Sequence, residues 1–428
     1  MTRHMTITEK IMAASANLEE VSPGQLINAR VDLAYTMDFM GKVVFDKLHQ
    51  LGATAVFDKE KVVVIFDHAV PAPDVKWAEL HNAVRKEIRE FGVRSYDVGN
   101  HGIMHHVVAE EGHLVPGIVA LGTDSHAPTG GALGALAIGV GATDVAVAMA
   151  TGAIWLRVPE AVRVTVSGEL AKGVMARDIS TFLMGQKGWD GTQAEWTYRS
   201  VEFTGPTVGN MEMDDRFSLC NLVSDMGAKN AIVAADEKTL AYVRNRAKCD
   251  PRIYESDPDA VYAEEFAVDV TDLEPLVSCP HSPDNVHKIA DVSGTAINVA
   301  FIGTCANGRL SDLRAAADLL KGRKVSPSVR LYVSPVSQKV YRQALDDGLL
   351  ATLSDAGAVI LPASCSPCIG INLVILGAKD VALSSGPRNM KGRMGSYDAQ
   401  VYTANPLVVA ASAIAGEITD PRAFIKSA

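Results

Sequence analysis

Short apolar runs that end in polar, glycine-containing loops recur along the chain. Six of them predict buried strands with a loop at their carboxyl end, namely KVVVIFDHAV (61–70), GIVALGTDSHAPTGG (117–131), VRVTVSGEL (162–170), AINVAFIGTCANGR (296–309), GAVILPASCSPCIG (357–370) and DVALSSGPRNMKGR (380–393). Between them lie helical patterns such as DLRAAADLLKG (312–322) and SQKVYRQALDDGLLATL (337–353). This alternation predicts an α/β fold with mostly parallel sheets.

The polar clusters all fall at predicted strand ends. Because ligands of parallel α/β sheets bind at the carboxyl ends of the strands, we expect one composite site built from several loops.

Three domains are expected for a chain of 428 residues. We place them at 1–160, 161–284 and 285–428. The acidic stretch 249–265 is expected to be a surface segment, and 274–286 a linker.

Composition and charge exclude several classes of protein. The net charge is −10 and the basic residues are scattered, which argues against a general nucleic-acid binder. The N-terminus lacks the apolar region of a signal peptide. The long apolar stretch 131–156 is rich in small residues and glycines, so a buried loop and core helix is expected rather than a membrane span. We therefore expect a cytoplasmic protein, in which the six cysteines stay reduced.

Three of these cysteines stand on loops that follow predicted strands. Cys365 and Cys368 form a C-x-x-C pair, and Cys305 occupies a similar loop. The pair alone could be part of a zinc site, a redox dithiol or part of an iron–sulfur cluster. Three thiolates suit a cubane cluster with one iron that has no protein ligand. Spacing alone leaves this open against three small buried side chains without a metal.

Six ordered motifs resolve the ambiguity through a resemblance. FDHAVP, GIMHH, GTDSHAPTGGALGALAIGVG, LCNLVSDMGA, GTCANGR with SCSPCIG, and GPRNMKGRMG resemble the aconitase family, in its two-subunit branch, over about residues 25–425. The resemblance implies three α/β/α domains around a central [4Fe–4S] cluster. Cys305, Cys365 and Cys368 match its ligands. It also implies that the family's swivelling fourth domain is absent from this chain.

The same resemblance assigns acid–base residues to the site. Asp67 and His68 match the pair that assists hydroxide departure, and Asp124 matches the partner of His105. A carboxylate bonded to an imidazole fixes its tautomer and raises its basicity.

Further matches concern the substrate. His126 is expected to pair with Asp225 of the CNLVSD segment, Ser125 to touch the substrate, and Asn221 to lie near the cluster. Arg388 and Arg393 match the family's carboxylate-binding arginines, and the planar guanidinium suits such bidentate binding.

Four positions depart from the family pattern. Asp225 stands where glutamate is usual, Pro387 replaces an asparagine, and Met37 and Met40 replace polar residues near the substrate. These changes make the substrate end less polar. The resemblance thus implies a hydro-lyase for a branched hydroxy dicarboxylic acid. The leading candidate is 3-isopropylmalate, and 2,3-dimethylmalate, citramalate and homoaconitate are the alternatives.

A small partner subunit follows from the absent fourth domain. In single-chain relatives that domain carries the serine that removes the C–H proton, so here we expect a separate subunit to supply it. Two readings of other classes compete with the enzyme. An electron carrier or iron sensor would favour four cysteine ligands without adjacent acid–base pairs. A structural zinc module would use Cys305, Cys365, Cys368 and a histidine.

Overall fold

The computed structural model describes residues 3–188 and 194–425, and its first sheet occupies the N-terminal third. The elements there, in chain order, are α1 (Ile7–Ala16), β1 (Leu26–Arg30), β2 (Leu33–Met37), α2 (Asp38–Gln50), β3 (Val62–Ile65), α3 (Val75–Phe91), β4 (Arg94–Tyr96), α4 (Met104–Glu110), β5 (Val119–Gly122), β6 (Leu136–Gly139), α5 (Ala142–Thr151) and β7 (Ala153–Arg157). Five strands form a parallel sheet in the order β4-β3-β2-β5-β6, and β1 pairs with β7 in an antiparallel ribbon.

The second sheet is parallel and has four strands in the described residues. Its region contains β8 (Ala161–Ser167), α6 (Ala176–Lys187), β9 (Ser200–Thr204), α7 (Pro206–Asn210), α8 (Met213–Asn221), β10 (Asn230–Ile232), α9 (Glu237–Val243) and β11 (Glu264–Asp269). The strand order is β10-β9-β8-β11. A short 3₁₀ helix, Leu222–Met226, follows α8 directly.

The third sheet is mixed and contains seven described strands. Its region contains β12 (Leu276–Ser278), β13 (Val286–Lys288), α10 (Ile289–Val292), β14 (Val299–Ile302), α11 (Leu310–Leu320), β15 (Arg330–Val333), α12 (Gln338–Asp346), α13 (Leu349–Ala356), β16 (Val359–Ile360), α14 (Ser366–Ile369), β17 (Val381–Ser384), β18 (Gln400–Ala404) and α15 (Pro406–Ala415). The order is β13-β12-β18-β17-β14-β15-β16, with β12 antiparallel to both neighbours and the other pairs parallel.

All six predicted strands are present, as β3, β5, β8, β14, β16 and β17. Two other predictions are wrong. The helix predicted over 337–353 is two helices, because Gly348 adopts a left-handed φ of 72° between α12 and α13. The predicted linker 274–286 contains the buried strand β12, which pairs with β13 and β18. The domain limits at 160 and 284 stay a prediction.

The apolar stretch 131–156 forms part of the core. It comprises the end of a 3₁₀ helix, strand β6, the ten-residue helix α5 and most of β7. Among residues 3–188 and 194–425, none of the helices has the length and apolar character needed to cross a bilayer.

The parallel pairing brings loops together at the sheet edges. In the first sheet, β2 lies between β3 and β5. The chain therefore adds β3 and β4 on one side of β2, and then β5 and β6 on the other side. Such a switch point opens a crevice at the carboxyl ends of the strands. In the third sheet, β17, β14, β15 and β16 are parallel neighbours whose loops leave from one edge.

Candidate active site

Three buried thiols come from two loops of the third sheet. Cys305 follows β14, and Cys365 and Cys368 follow β16, with β15 paired between these strands. Their exposed fractions are 3%, 7% and 4% respectively. Thr304, directly before Cys305, has a left-handed φ of 78°, which is a strained conformation for a β-branched residue. The predicted ligands therefore meet at one edge of the sheet.

The donor set suits an iron–sulfur cluster. Cys305, Cys365 and Cys368 offer three buried thiols, the ligand type that holds such clusters, and the side chains of Cys365 and Cys368 contact each other. A second group of possible metal ligands lies nearby, because ligand atoms of Asp38, Asp67 and His68 lie within 4.8 Å of one another.

Asp67 joins the first sheet to the cysteine loop. It follows β3, and its backbone carbonyl accepts hydrogen bonds from Cys365 N at 2.7 Å and Ser364 Oγ at 2.9 Å. Its carboxylate lies 2.7 Å from His68 Nδ1 and accepts a bond from the Met104 N–H. The imidazole of His68 is thereby held at the edge of the cysteine site.

Sequence reasoning missed Asp38, a second carboxylate beside His68. Asp38 is buried at the start of α2, and its Oδ1 lies 3.9 Å from His68 Nδ1. Its Oδ2 accepts bonds from Ala69 N at 2.8 Å and lies 3.2 Å from His81 Nε2. The signal was available, because Asp38 directly follows a buried strand, as Asp67 and Asp124 nearly do.

Two carboxylates govern the charge on His68. Burial alone would lower the pKa of the imidazole, but Asp67 and then Asp38 outweigh burial and raise this pKa to about 9. His68 is therefore a cation at neutral pH and has a proton to donate. Phe39 covers the ring edge-on at 5.1 Å between centroids.

A second carboxylate–histidine group lies after β5. Asp124 Oδ1 lies 2.9 Å from His105 Nε2 and accepts the backbone N–H of His126 at 2.8 Å. Burial would raise the pKa of Asp124, but hydrogen bonds from His105 and His126 hold it well below its usual value. The expected pairing of Asp124 with His105 is present, and Asp124 is an anion at neutral pH.

The region of the second sheet contributes Asp225 from the 3₁₀ helix after α8. Asp225 Oδ2 lies 3.4 Å from His126 Nε2, so the expected pair is also present. Asp225 Oδ1 accepts Arg388 Nε at 2.5 Å, and Arg388 Nη2 donates to Ser125 Oγ at 3.0 Å. Burial would raise the pKa of Asp225, but Arg388 and His126 lower it. Arg388 is thus fixed by residues from two other regions of the chain.

Arg393 and Asn221 lie beside the thiols. Arg393 Nη2 donates to Cys368 Sγ at 3.4 Å, and its buried Nε has no partner in the described structure. Asn221 is buried, donates to Thr129 Oγ1 at 2.7 Å and contacts the Cys305 thiol. Its Oδ1 also lacks a partner in the described chain. Unsatisfied polar atoms in this position suit a site that binds a polar ligand.

Three of the positions that depart from the family pattern differ in how far they are buried. Met37 is 2% exposed and packs in the hydrophobic core, whereas Met40 is half-buried against that core. Of the two, only Met40 has appreciable surface left for a substrate. Pro387 is buried directly before Arg388. The structure therefore brings all the predicted site residues into one region, and their catalytic roles stay predictions.

Comparison with known proteins identifies the family. The sequence profile of the Aconitase family (aconitate hydratase) matches residues 9–295 and 288–416. The chain belongs to the aconitase family, a family of hydro-lyases that generally bind a [4Fe–4S] cluster. The predicted fold class and enzyme class are thereby confirmed.

Individual relatives match over nearly their full length. The "Probable 3-isopropylmalate dehydratase large subunit" of Methanothermobacter thermautotrophicus is 46% identical, over 97% of this chain and 99% of that protein. The "3-isopropylmalate dehydratase large subunit" of Moorella thermoacetica is 45% identical, over 99% and 100%. The "Probable methanogen homoaconitase large subunit" of the former organism is 44% identical, over 98% and 99%. The term "large subunit" in these names implies a small-subunit partner.

One solved structure, Thermococcus kodakaraensis aconitase X (holo-form), matches with a TM-score of 0.49 and 13% sequence identity. It covers 89% of this chain and 88% of that chain, too distant a likeness to add to the assignment.

Proposed function

We propose that this chain is the large subunit of a hydro-lyase that dehydrates and rehydrates a branched hydroxy dicarboxylic acid, with 3-isopropylmalate the leading substrate. The observation that carries the proposal is the meeting of three buried thiols with two carboxylate–histidine groups and two arginines. Relatives named for 3-isopropylmalate support this substrate at 46% and 45% identity.

Cys305, Cys365 and Cys368 would hold the [4Fe–4S] cluster. When bound, the cluster supplies a Lewis-acidic iron beside the substrate hydroxyl. Asn221 and Arg393 border this position and present the buried polar atoms without partners described above. These unsatisfied groups would bind the substrate.

His68 is the group that would protonate the departing hydroxide. Its proton is retained at neutral pH because Asp67 and Asp38 flank the imidazole. His105 and His126 both face Asp124, which stays ionised and fixes the orientation of both rings.

The two arginines would bind the carboxylates of the substrate. Arg388 and Arg393 belong to one loop, and each is bonded to the protein through only part of its guanidinium. The remaining N–H groups can bind carboxylate oxygens in the paired geometry that arginine favours.

The partner would be a small subunit that carries the swivelling domain and the serine that removes the C–H proton. The site residues described above offer acids and cations. None of the sequence motifs matches a serine that acts as this base in the family. Closure of a separate subunit over the site would also exclude water during the reaction.

The test is reconstitution without oxygen of the large subunit with its small subunit, followed by assays on competing substrates. We expect the highest kcat/KM with 3-isopropylmalate among isopropylmalate, dimethylmalate, citramalate, homocitrate and citrate. A preference for homocitrate would favour the function named for the homoaconitase relative. Reconstituted protein with a full cluster but no activity on any of these acids would contradict the proposed function.

A further inference from the structure

The Cys305 loop is held by a fully buried arginine. Arg309 is 0% exposed, and its guanidinium donates to the backbone carbonyl of Cys305 at 2.6 Å and to that of Ala306 at 2.8 Å. A positive charge is therefore fixed directly behind one of the three candidate cluster ligands.

A second buried arginine reaches the same loop from the region of the second sheet. Arg177 lies in α6 and is 1% exposed. It donates to Asn307 Oδ1 at 3.0 Å, to the Ser385 carbonyl at 2.6 Å and to the Gly386 carbonyl at 2.7 Å. Arg177 thus connects the loop after Cys305 with the loop that leads to Arg388.

Neither guanidinium has a carboxylate partner in the described parts of the chain, where no ion pair within 4.0 Å involves either arginine. Arg216 shows the usual arrangement, because it is equally buried but pairs with Asp236 at 2.5 Å. Asp178 and Asp312 act on Arg177, and Asp312 acts on Arg309, without forming a direct ion pair. Because a buried charge without a direct ion-pair partner is costly, a further anion near these two cations would stabilise them.

We propose that Arg177 and Arg309 supply the positive charge that offsets the net negative charge of the bound cluster on its Cys305 side, and that they raise its reduction potential. The inference rests on the proposed cluster function. A cubane held by three thiolates is anionic, and added electrons make it more so, so nearby buried cations favour the reduced form. The bonds to backbone carbonyls fix these charges without placing a competing carboxylate between them and the cluster.

Asp312 is the acidic group that acts on both arginines, whereas Asp178 and Asp225 act on Arg177. The Asp312 carboxylate accepts bonds at 3.0 Å from Asn307 Nδ2 and from the Arg309 backbone N–H. Burial raises the pKa of Asp312 to about 7, so above pH 7 its carboxylate brings negative charge to the same loop. Its removal should then act in the opposite sense to removal of either arginine.

The experiment is an anaerobic redox titration of the cluster, followed by electron paramagnetic resonance, in the holoprotein and its variants. Arg177→Gln and Arg309→Gln should each shift the midpoint to a more negative potential, whereas the Lys variants, which keep the charge, should stay nearer the wild-type value. Arg216→Gln, which alters a buried arginine that already has its own carboxylate, is the matched control and should leave the midpoint unchanged.

Asp312→Asn, which preserves side-chain size, should shift the midpoint to a more positive potential when measured above pH 7. Full clusters with wild-type midpoints in both Gln variants would overturn the inference. If the Gln variants assemble no cluster, Asp312→Asn decides, and a midpoint that does not rise overturns it. A wild-type protein that binds no cluster would instead contradict the proposed function.

Discussion

Replacing Arg388 by lysine tests whether Arg388 binds a carboxylate of the substrate. Arg388 uses two different nitrogens inside the protein, Nε to Asp225 at 2.5 Å and Nη2 to Ser125 at 3.0 Å, and this leaves further N–H groups for a substrate carboxylate. Lysine keeps the charge but has one nitrogen, so it cannot reach Asp225, Ser125 and the substrate in this geometry.

The magnitude follows from the bonds that are lost. Hydrogen bonds to charged groups contribute about 1.5–3 kcal/mol each, and losing one in the transition state lowers kcat/KM roughly 10- to 150-fold. Arg388→Met should lose more transition-state stabilisation, about 3–5 kcal/mol. It removes the cation that pairs with the Asp225 carboxylate, and the side chain of Asp225 is only 5% exposed.

The assay is steady-state kinetics of the reconstituted two-subunit enzyme with 3-isopropylmalate, normalised to iron content. Arg163→Lys is the matched control, because Arg163 also donates to a carboxylate, that of Glu265 at 2.6 Å, but lies partly exposed on strand β8 of the second sheet. Its kcat/KM should equal that of the wild type. An Arg388→Lys enzyme with wild-type kcat/KM would refute the assignment of Arg388 as a carboxylate-binding group.

Three further predictions concern the cluster, the acid and the partner. Protein purified without oxygen should be brown with about four iron and four sulfide ions per chain, and Ser in place of Cys305, Cys365 or Cys368 should abolish this; full clusters in all three variants would contradict the ligand set. Because the pKa of His68 is raised from 6.5 to about 9, the protonated form persists through neutral pH, and kcat/KM should fall as pH rises through about 9. Asp38→Asn should move this fall to lower pH, and a wild-type fall already centred near 6.5 would refute the assignment. The large subunit alone should show almost no dehydration and regain it with the small subunit; strong turnover by the isolated chain would place the C–H base within it.

The parts of the fold that the sequence predicted are those with a strong local signal. Apolar runs such as 62–65 and 299–302 are too short and too rich in β-branched residues to be helices, and each ends at a polar loop. Since all parallel strands present their loops at one edge, locating the strands also located the site. The split at Gly348 was missed because helical periodicity continues on both sides of the glycine.

Contacts between distant segments could not be predicted in the same way. Asp38 reaches His68 across 30 residues, and Asp225 meets Arg388 across 163. Local patterns carry no information about which strands are neighbours, and the order β3-β2-β5 is what places Asp38 beside His68. The resemblance to a family supplied the Asp225 partner in outline, whereas the only local signal for Asp38 was its position directly after the apolar run of β2.

The short side chain of Asp225 has a structural consequence for the substrate. Asp225 spans His126 and Arg388 with one carboxylate, at 3.4 Å and 2.5 Å respectively. Asp225 is one methylene shorter than the glutamate that the family resemblance leads us to expect, yet it contacts both His126 and Arg388. Arg388 is therefore held by the 3₁₀ helix after α8 and by Ser125, whereas Arg393 Nη2 donates to Cys368 Sγ and its buried Nε lacks a partner among the described residues. Two cations held by different parts of the site suit two carboxylates, so we expect an alkyl-substituted malate to be preferred over a tricarboxylate, whose third charge would have no cation of its own among these two arginines.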